Sequence, residues 1–376
     1  MSAATPLHAR EPWWREWPLA LAVVTLLAAL AGKNVILASL DRSVALVAVL
    51  MVICVVILFA AVAIVRHADV LAHRLGEPLG TLLLTLAVTG LEVSMVAFVM
   101  SAGKGQATLA RDTMFAVVML VINGFMGLAL LLGGIRHREQ AYNLQGAVAF
   151  LVMILPLTVL GLVLPNFTRA TPGPTLSSFQ EVFLSVVSIA IYVIFLFVQN
   201  WRHRGYFMAP VEVEEVIAEQ PSHQSPRSTF YHSLMLGCYG LPLVMLAKQM
   251  AGPLDALVHQ VGAPPALGGF VMAVLVLTPE SIAAIRAALA NRLQRSVNIL
   301  LGSVLASIGL TIPLVIVVAL ATHQVLVLGL NDVDTVMLLL TFVTSMLTFS
   351  LKQTNVLFGC VHLLLFGSYL MLMFDR

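Results

Sequence analysis

Two acids, Glu92 and Glu280, stand in the middle of long apolar runs. Neither has a Lys or Arg within a helical turn, the nearest being Arg286, six positions from Glu280. A carboxylate near the bilayer centre costs at least about 2.5 to 3.5 kcal/mol, so each acid must be protonated or hold a cation. Thr81, Thr85, Thr89 and Glu92 fall at i, i+4, i+8 and i+11, which is one helix face. Ser303, Ser307 and Thr311 make a second hydroxyl stripe, and Asn123 is the most polar uncharged side chain in its own run. Gly90 lies beside Glu92 and Pro279 beside Glu280. Proline removes a helix hydrogen bond and glycine eases unwinding, which frees carbonyl oxygens as ligands. Carboxylate, amide, hydroxyl and freed carbonyl oxygens form a hard-ligand set suited to Ca²⁺ or Na⁺ rather than zinc or copper. The plainer alternatives are a neutral Glu that bonds two helices together, threonines that bond only the carbonyl four residues back, and simple kinks at Gly90 and Pro279.

The elements that must position these residues are membrane helices. Of 376 residues 60% are hydrophobic and only 10% charged, which cannot build a water-soluble surface and excludes a soluble enzyme, a nucleic-acid binder and a disordered scaffold. The net charge of +2 implies no acidic partner. Cys54, Cys238 and Cys360 are scattered without metal spacing and read as small packing residues. The histidines make no metal motif: His203, His223 and His232 read as loop or helix-end residues. His362, alone inside the last run, reads as a packing residue or a proton relay.

Apolar runs long enough to cross a hydrocarbon core of about 30 Å lie near 17–38, 43–65, 79–103, 113–135, 146–165, 179–200, 232–251, 265–285, 297–321, 333–351 and 354–373. They are continuously apolar rather than alternating, so the class is an all-α polytopic membrane protein with about 11 transmembrane helices. Lys33 interrupts the first run, which Trp13, Trp14 and Trp17 precede as an interfacial belt. It lacks an Ala-x-Ala cleavage site and reads as an uncleaved anchor. With alternating spans, thirteen Lys and Arg fall on the side of Arg66, Arg136 and Arg292, and seven on the side of Arg42 and Arg111. The positive-inside rule then gives a multi-pass inner-membrane protein with a cytoplasmic N-terminus and an outside C-terminus.

The longest loop, 201–231, carries Glu212, Glu214, Glu215 and Glu219 and divides the chain. It reads as a solvated cytoplasmic linker, with a cation-sensing patch as the alternative. A shift of 188 residues aligns Leu79-Gly80 with Leu267-Gly268 and Glu92 with Glu280. The matched segments run in opposite directions across the membrane. The expected organisation is therefore a tail and first helix over 1–42, a five-helix repeat over 43–200, the linker, and an inverted five-helix repeat over 232–376.

The stretch Gly76-Glu77-Pro78-Leu79-Gly80-Thr81 through Thr89-Gly90-Leu91-Glu92-Val93, with Leu277-Thr278-Pro279-Glu280-Ser281 and Asn298 through Leu305, resembles the two α-repeats of the calcium/cation antiporter superfamily, in particular its bacterial ChaA-type members. The resemblance implies a secondary antiporter exchanging protons for a cation, Ca²⁺ foremost with Na⁺ or K⁺ as alternatives, and no cofactor. It implies that Glu92 and Glu280 bind cation and proton, with Thr89, Thr278, Ser281 and Ser303 nearby. The chain departs from the superfamily's Gly-Asn-x-x-Glu pattern in having no Asn before either acid, which bears on ion selectivity. Proton and cation competing for one pair of carboxylates, with alternating access, would give exchange. A cation channel is the first rival and would need a pore-lining ring from several subunits. A membrane enzyme is the second, and the chain contains no His-Glu-x-x-His to support it. The expected partners are the ion, protons and the lipid bilayer, and a homo-oligomer stays open.

Overall fold

The computed structural model describes residues 13–32, 43–75, 86, 89–96, 107–209 and 227–375. Thr81, Thr85, Lys33, Gly80 and the acidic residues of the linker lie outside them.

Continuous apolar sequence leaves the backbone no water to bond, so it closes its hydrogen bonds within helices. A short turn, Trp13–Glu16, leads into α1 (Trp17–Ala31), followed by α2 (Ser43–Leu75) and the helical residues 89–96, here α3. The next span is one rod in three parts: α4 (Leu109–Val118), a π-helical stretch (Met119–Phe125) and α5 (Met126–His137). Then come α6 (Leu144–Leu162), α7 (Ser178–Phe197), α8 (Thr229–Gln260), α9 (Ala266–Leu289), α10 (Leu293–Thr322), α11 (Asp332–Thr348) and α12 (Val356–Phe374). Each expected run has its helix. Among the described residues, nine spans are long and apolar enough to cross a membrane, and α11 falls just short at 17 residues.

Polar residues set where several helices begin. Asn143, Ser228, Asn331 and Asn355 accept backbone N–H bonds at the starts of α6, α8, α11 and α12, and Ser177 and Gln180 cap α7 reciprocally. Two short strands, β1 (Gln140–Ala141) and β2 (Gln353–Thr354), pair antiparallel and join the α5–α6 and α11–α12 loops.

Burial identifies the centre. The spans Leu109–His137 and Leu293–Thr322 are 78% and 67% buried, against 22% for Ser178–Arg202, whose outer face is left for lipid. Packing exchanges partners between the halves. The second half's central helix α10 takes α7 from the first half, and the first half's central rod takes α12 from the second. Helices α2 and α8 pack along each other. The architecture is one N-terminal helix plus two inverted five-helix repeats. Small residues allow the tightest crossings, since a Cβ at Gly359 would come within 2.4 Å of the Leu131 nitrogen, and one at Gly269 within 2.9 Å of the Thr113 nitrogen.

Two hydrophobic cores result. One joins α4 to α7 with α10, α11, α12 and part of α9; the other joins α1, α2, Met95 and α8 with the remaining face of α9. Helix α9, which carries Glu280, contributes to both.

Candidate functional site

The hydroxyl stripe on α10 organises the site. Ser303 and Ser307 are one turn apart, and both are buried. Ser307 Oγ donates to the Glu92 carboxylate, and Ser303 Oγ donates to the Glu280 carboxylate. Each acid is only 2% exposed. Glu92 arrives on α3 from the first half and Glu280 on α9 from the second, so the two meet on a single helix face. One turn of rise places their anchoring hydroxyls about 6 Å apart along the axis.

Three further buried hydroxyls lie close to these residues along the chain. Thr89 Oγ1, three residues before Glu92, Ser281 Oγ, next to Glu280, and Thr311 Oγ1, one turn beyond Ser307, are buried and have no hydrogen-bond partner among the described residues. A buried hydroxyl without a partner costs about 1 to 3 kcal/mol, so three of them are a notable cost for these helices to carry. Thr278 is differently engaged: its hydroxyl donates to the Val274 carbonyl at 2.5 Å, one turn back.

Pro279 does not break its helix: α9 runs unbroken through it. Gly90 is helical, near the start of the described stretch 89–96, with nothing crowding it. What Pro279 removes is one amide hydrogen, which leaves the Leu275 carbonyl without its usual helical donor. Ser94 Oγ donates to the Gly90 carbonyl at 2.6 Å.

Asn123 is placed elsewhere. It lies in the π-helical stretch, where its Nδ2 donates to Thr341 Oγ1 at 2.8 Å and its Oδ1 meets His362 Nδ1 at 3.0 Å. His362 Nε2 in turn meets Thr348 Oγ1 at 3.1 Å. His362, solitary in sequence, is therefore one member of a closed polar network between α11, α12 and the central rod. Asn123 spends its amide there and not on either acid.

His232, read as a helix-end residue, is buried against His67, with their Nδ1 atoms 2.8 Å apart. The two stand 165 positions apart, and no local pattern signalled the pair. Ser307 had a signal, its place in the α10 stripe, but no sequence feature linked it to Glu92. An apolar cavity opens beside the acids, lined by Ile57, Ala61, Ile64, Leu243, Leu91 and Pro279 among others. Leu91 and Pro279 are the chain neighbours of Glu92 and Glu280, so the cavity reaches the edge of the site.

Comparison with known proteins bears on the family and the fold. The sodium/calcium exchanger protein family matches residues 45–201 and 231–374. The y4hA protein of Sinorhizobium fredii is 42% identical over 83% of this chain and 85% of its own length. The sodium-potassium/proton antiporter ChaA of Escherichia coli is 38% identical over 85% of this chain and 86% of its own. Among solved structures, the Ca²⁺/H⁺ antiporter YfkE superposes with a TM-score of 0.70 at 16% identity, covering 96% of this chain and 100% of that one.

Proposed function

The chain belongs to the sodium/calcium exchanger family, and as a membrane cation antiporter rather than an enzyme we propose that it exchanges protons for a cation at Glu92 and Glu280. The observation that carries this reading is the convergence of the two acids, one from each half, onto Ser303 and Ser307 of α10. Thr89, Ser281 and Thr311 supply neutral oxygens, while Thr278 and Asn123 stand outside the first coordination set.

The mechanism follows from charge balance. Two bare carboxylates buried together repel and are poorly solvated, so the site is occupied either by protons on the acids or by a cation between them. An arriving cation displaces the protons, and returning protons displace the cation. If only these neutralised states expose the site to the opposite side, a proton gradient drives cation movement by alternating access. Two full negative charges among neutral oxygens suit Ca²⁺ first, as the name of YfkE supports, while the name of ChaA keeps Na⁺ and K⁺ as the alternatives. The repeats are residues 43–200 and 232–376, joined by a cytoplasmic linker over 201–231 and preceded by a tail and anchor helix over 1–42. The basic side of the molecule faces the cytoplasm, with the N-terminus inside and the C-terminus outside.

The test is proton flux in proteoliposomes offered Ca²⁺, Na⁺ and K⁺ one at a time. Glu92→Gln and Glu280→Gln, each correctly folded, are expected to reduce cation-dependent proton flux to background. Near-normal flux in both would refute the assignment.

A further inference from the structure

A second cluster of titratable groups lies away from the acids, where the end of α2, the start of α8 and the turn before α1 meet. His67 on α2 and His232 on α8 are each 2% exposed, with their Nδ1 atoms 2.8 Å apart. Charged and aromatic groups face them. Glu16, before α1, lies 3.3 Å from His67 Nε2 and accepts from Arg66 at 2.8 Å, Tyr239 at 2.7 Å and Tyr231 at 3.0 Å. Arg227, just before α8, stands 4.0 Å from Glu16 and covers the Tyr231 ring at 4.3 Å. Farther along α2, Asp69 faces Arg295 of α10 at 3.6 Å.

Two imidazole nitrogens in hydrogen-bond contact require one hydrogen and one lone pair between them. Glu16 decides which ring gives the hydrogen. A carboxylate only accepts, and although Arg66 Nη2 also stands 3.3 Å from His67 Nε2, it donates to Glu16 at the shorter 2.8 Å, so the His67 nitrogen facing the carboxylate carries the hydrogen. That leaves His67 Nδ1 as the acceptor and His232 Nδ1–H as the donor. One added proton can stay within the contact, with His67 Nδ1–H donating and His232 carrying its own hydrogen on Nε2; a second leaves two N–H groups pointed at each other across 2.8 Å, and the attraction between α2 and α8 turns to repulsion.

The same helices wall the cavity beside the acids. Ile64 lies one turn from His67, Leu243 one turn from Tyr239, and both line the opening that reaches Leu91 and Pro279. We propose that the His67–His232 pair is a second proton-binding site, separate from the transported protons, whose occupancy parts α2 from α8 and slows exchange. The effect on exchange rests on the ion reading of Glu92 and Glu280; the proton-driven separation of the helices does not.

The experiment uses the full chain with Cys54, Cys238 and Cys360 replaced by Ala and spin labels introduced through Leu75→Cys on α2 and Phe230→Cys on α8, both exposed positions. The inter-label distance is expected to lengthen by several ångströms as pH falls from about 8 to about 4, through and below the range in which free imidazole titrates. In the double variant His67→Asn/His232→Asn, whose amides form an equivalent bond without a titratable nitrogen, the distance should stay fixed. Over the same range, the wild-type chain should lose about fivefold more cation-dependent proton flux than the double variant. A constant distance in the wild-type pair, or equal lengthening in the double variant, overturns the proposal. Repeating the distance measurement with Glu92→Gln separates the two readings. Lengthening that persists there supports an independent site, and lengthening that disappears refutes one.

Discussion

The two central helices of the inverted halves use their polar residues in opposite ways. On α10, hydroxyls at Ser303 and Ser307 reach out to carboxylates brought by other helices, and Thr311 is left unpartnered. On the first-half rod, Asn123 is closed into a network with Thr341, His362 and Thr348 in which both of its amide atoms are engaged. The α10 stripe reaches outward and leaves Thr311 unpartnered, whereas the network around Asn123 is closed. On the proposed reading the two halves divide the labour: one central helix would present the ion-binding surface, and the other ties its neighbours together.

The sharpest break of this contrast is Glu280→Gln set beside Asn123→Ala. The first should bring cation-dependent proton flux to background, while the second should retain flux per folded molecule. If Asn123→Ala is as inactive as Glu280→Gln while remaining folded, the division fails. Next in size, His362→Phe strands Asn123 Oδ1 and Thr348 Oγ1 in an apolar interior, at about 1 to 3 kcal/mol for each unsatisfied group. The expected result is a clearly lower thermal midpoint in detergent with unchanged KM for the cation. Ser303→Ala and Ser307→Ala should raise that KM about tenfold each, the equivalent of about 1.4 kcal/mol, with little loss of thermal stability. The smallest effect concerns pH. If protons leave before the cation binds, as proposed, raising pH on the cation side should lower its apparent KM, with a slope approaching about two when both acids deprotonate. A KM independent of pH would separate proton from cation and break the competition.

Much of this was legible in sequence. Eleven apolar runs foretold the helices because span length is fixed by bilayer thickness, and the two acids stood out because charge is costly there. The α10 stripe was visible at helical spacing. Other features depended on side-chain direction across helices distant in sequence. Asn123 was indistinguishable from an ion ligand until the π-helical stretch turned it toward His362, and nothing near His67 announced His232. Pro279 signalled an interrupted helix, yet α9 absorbs it, since one missing bond in a well-packed rod is a local cost that neighbouring helices sustain.

The small strand pair has a consequence for how the molecule can flex. Gln140–Ala141 and Gln353–Thr354 lace two loops together, the Tyr142 hydroxyl bonds the Leu351 carbonyl, and Gln140 Nε2 bonds the Ala288 carbonyl at 2.8 Å. Those bonds hold the ends of α5, α6, α11 and α12 together at that face. If the molecule alternates access as proposed, the bundle of α1, α2 and α8, with its separate core, is the part less tied to that face.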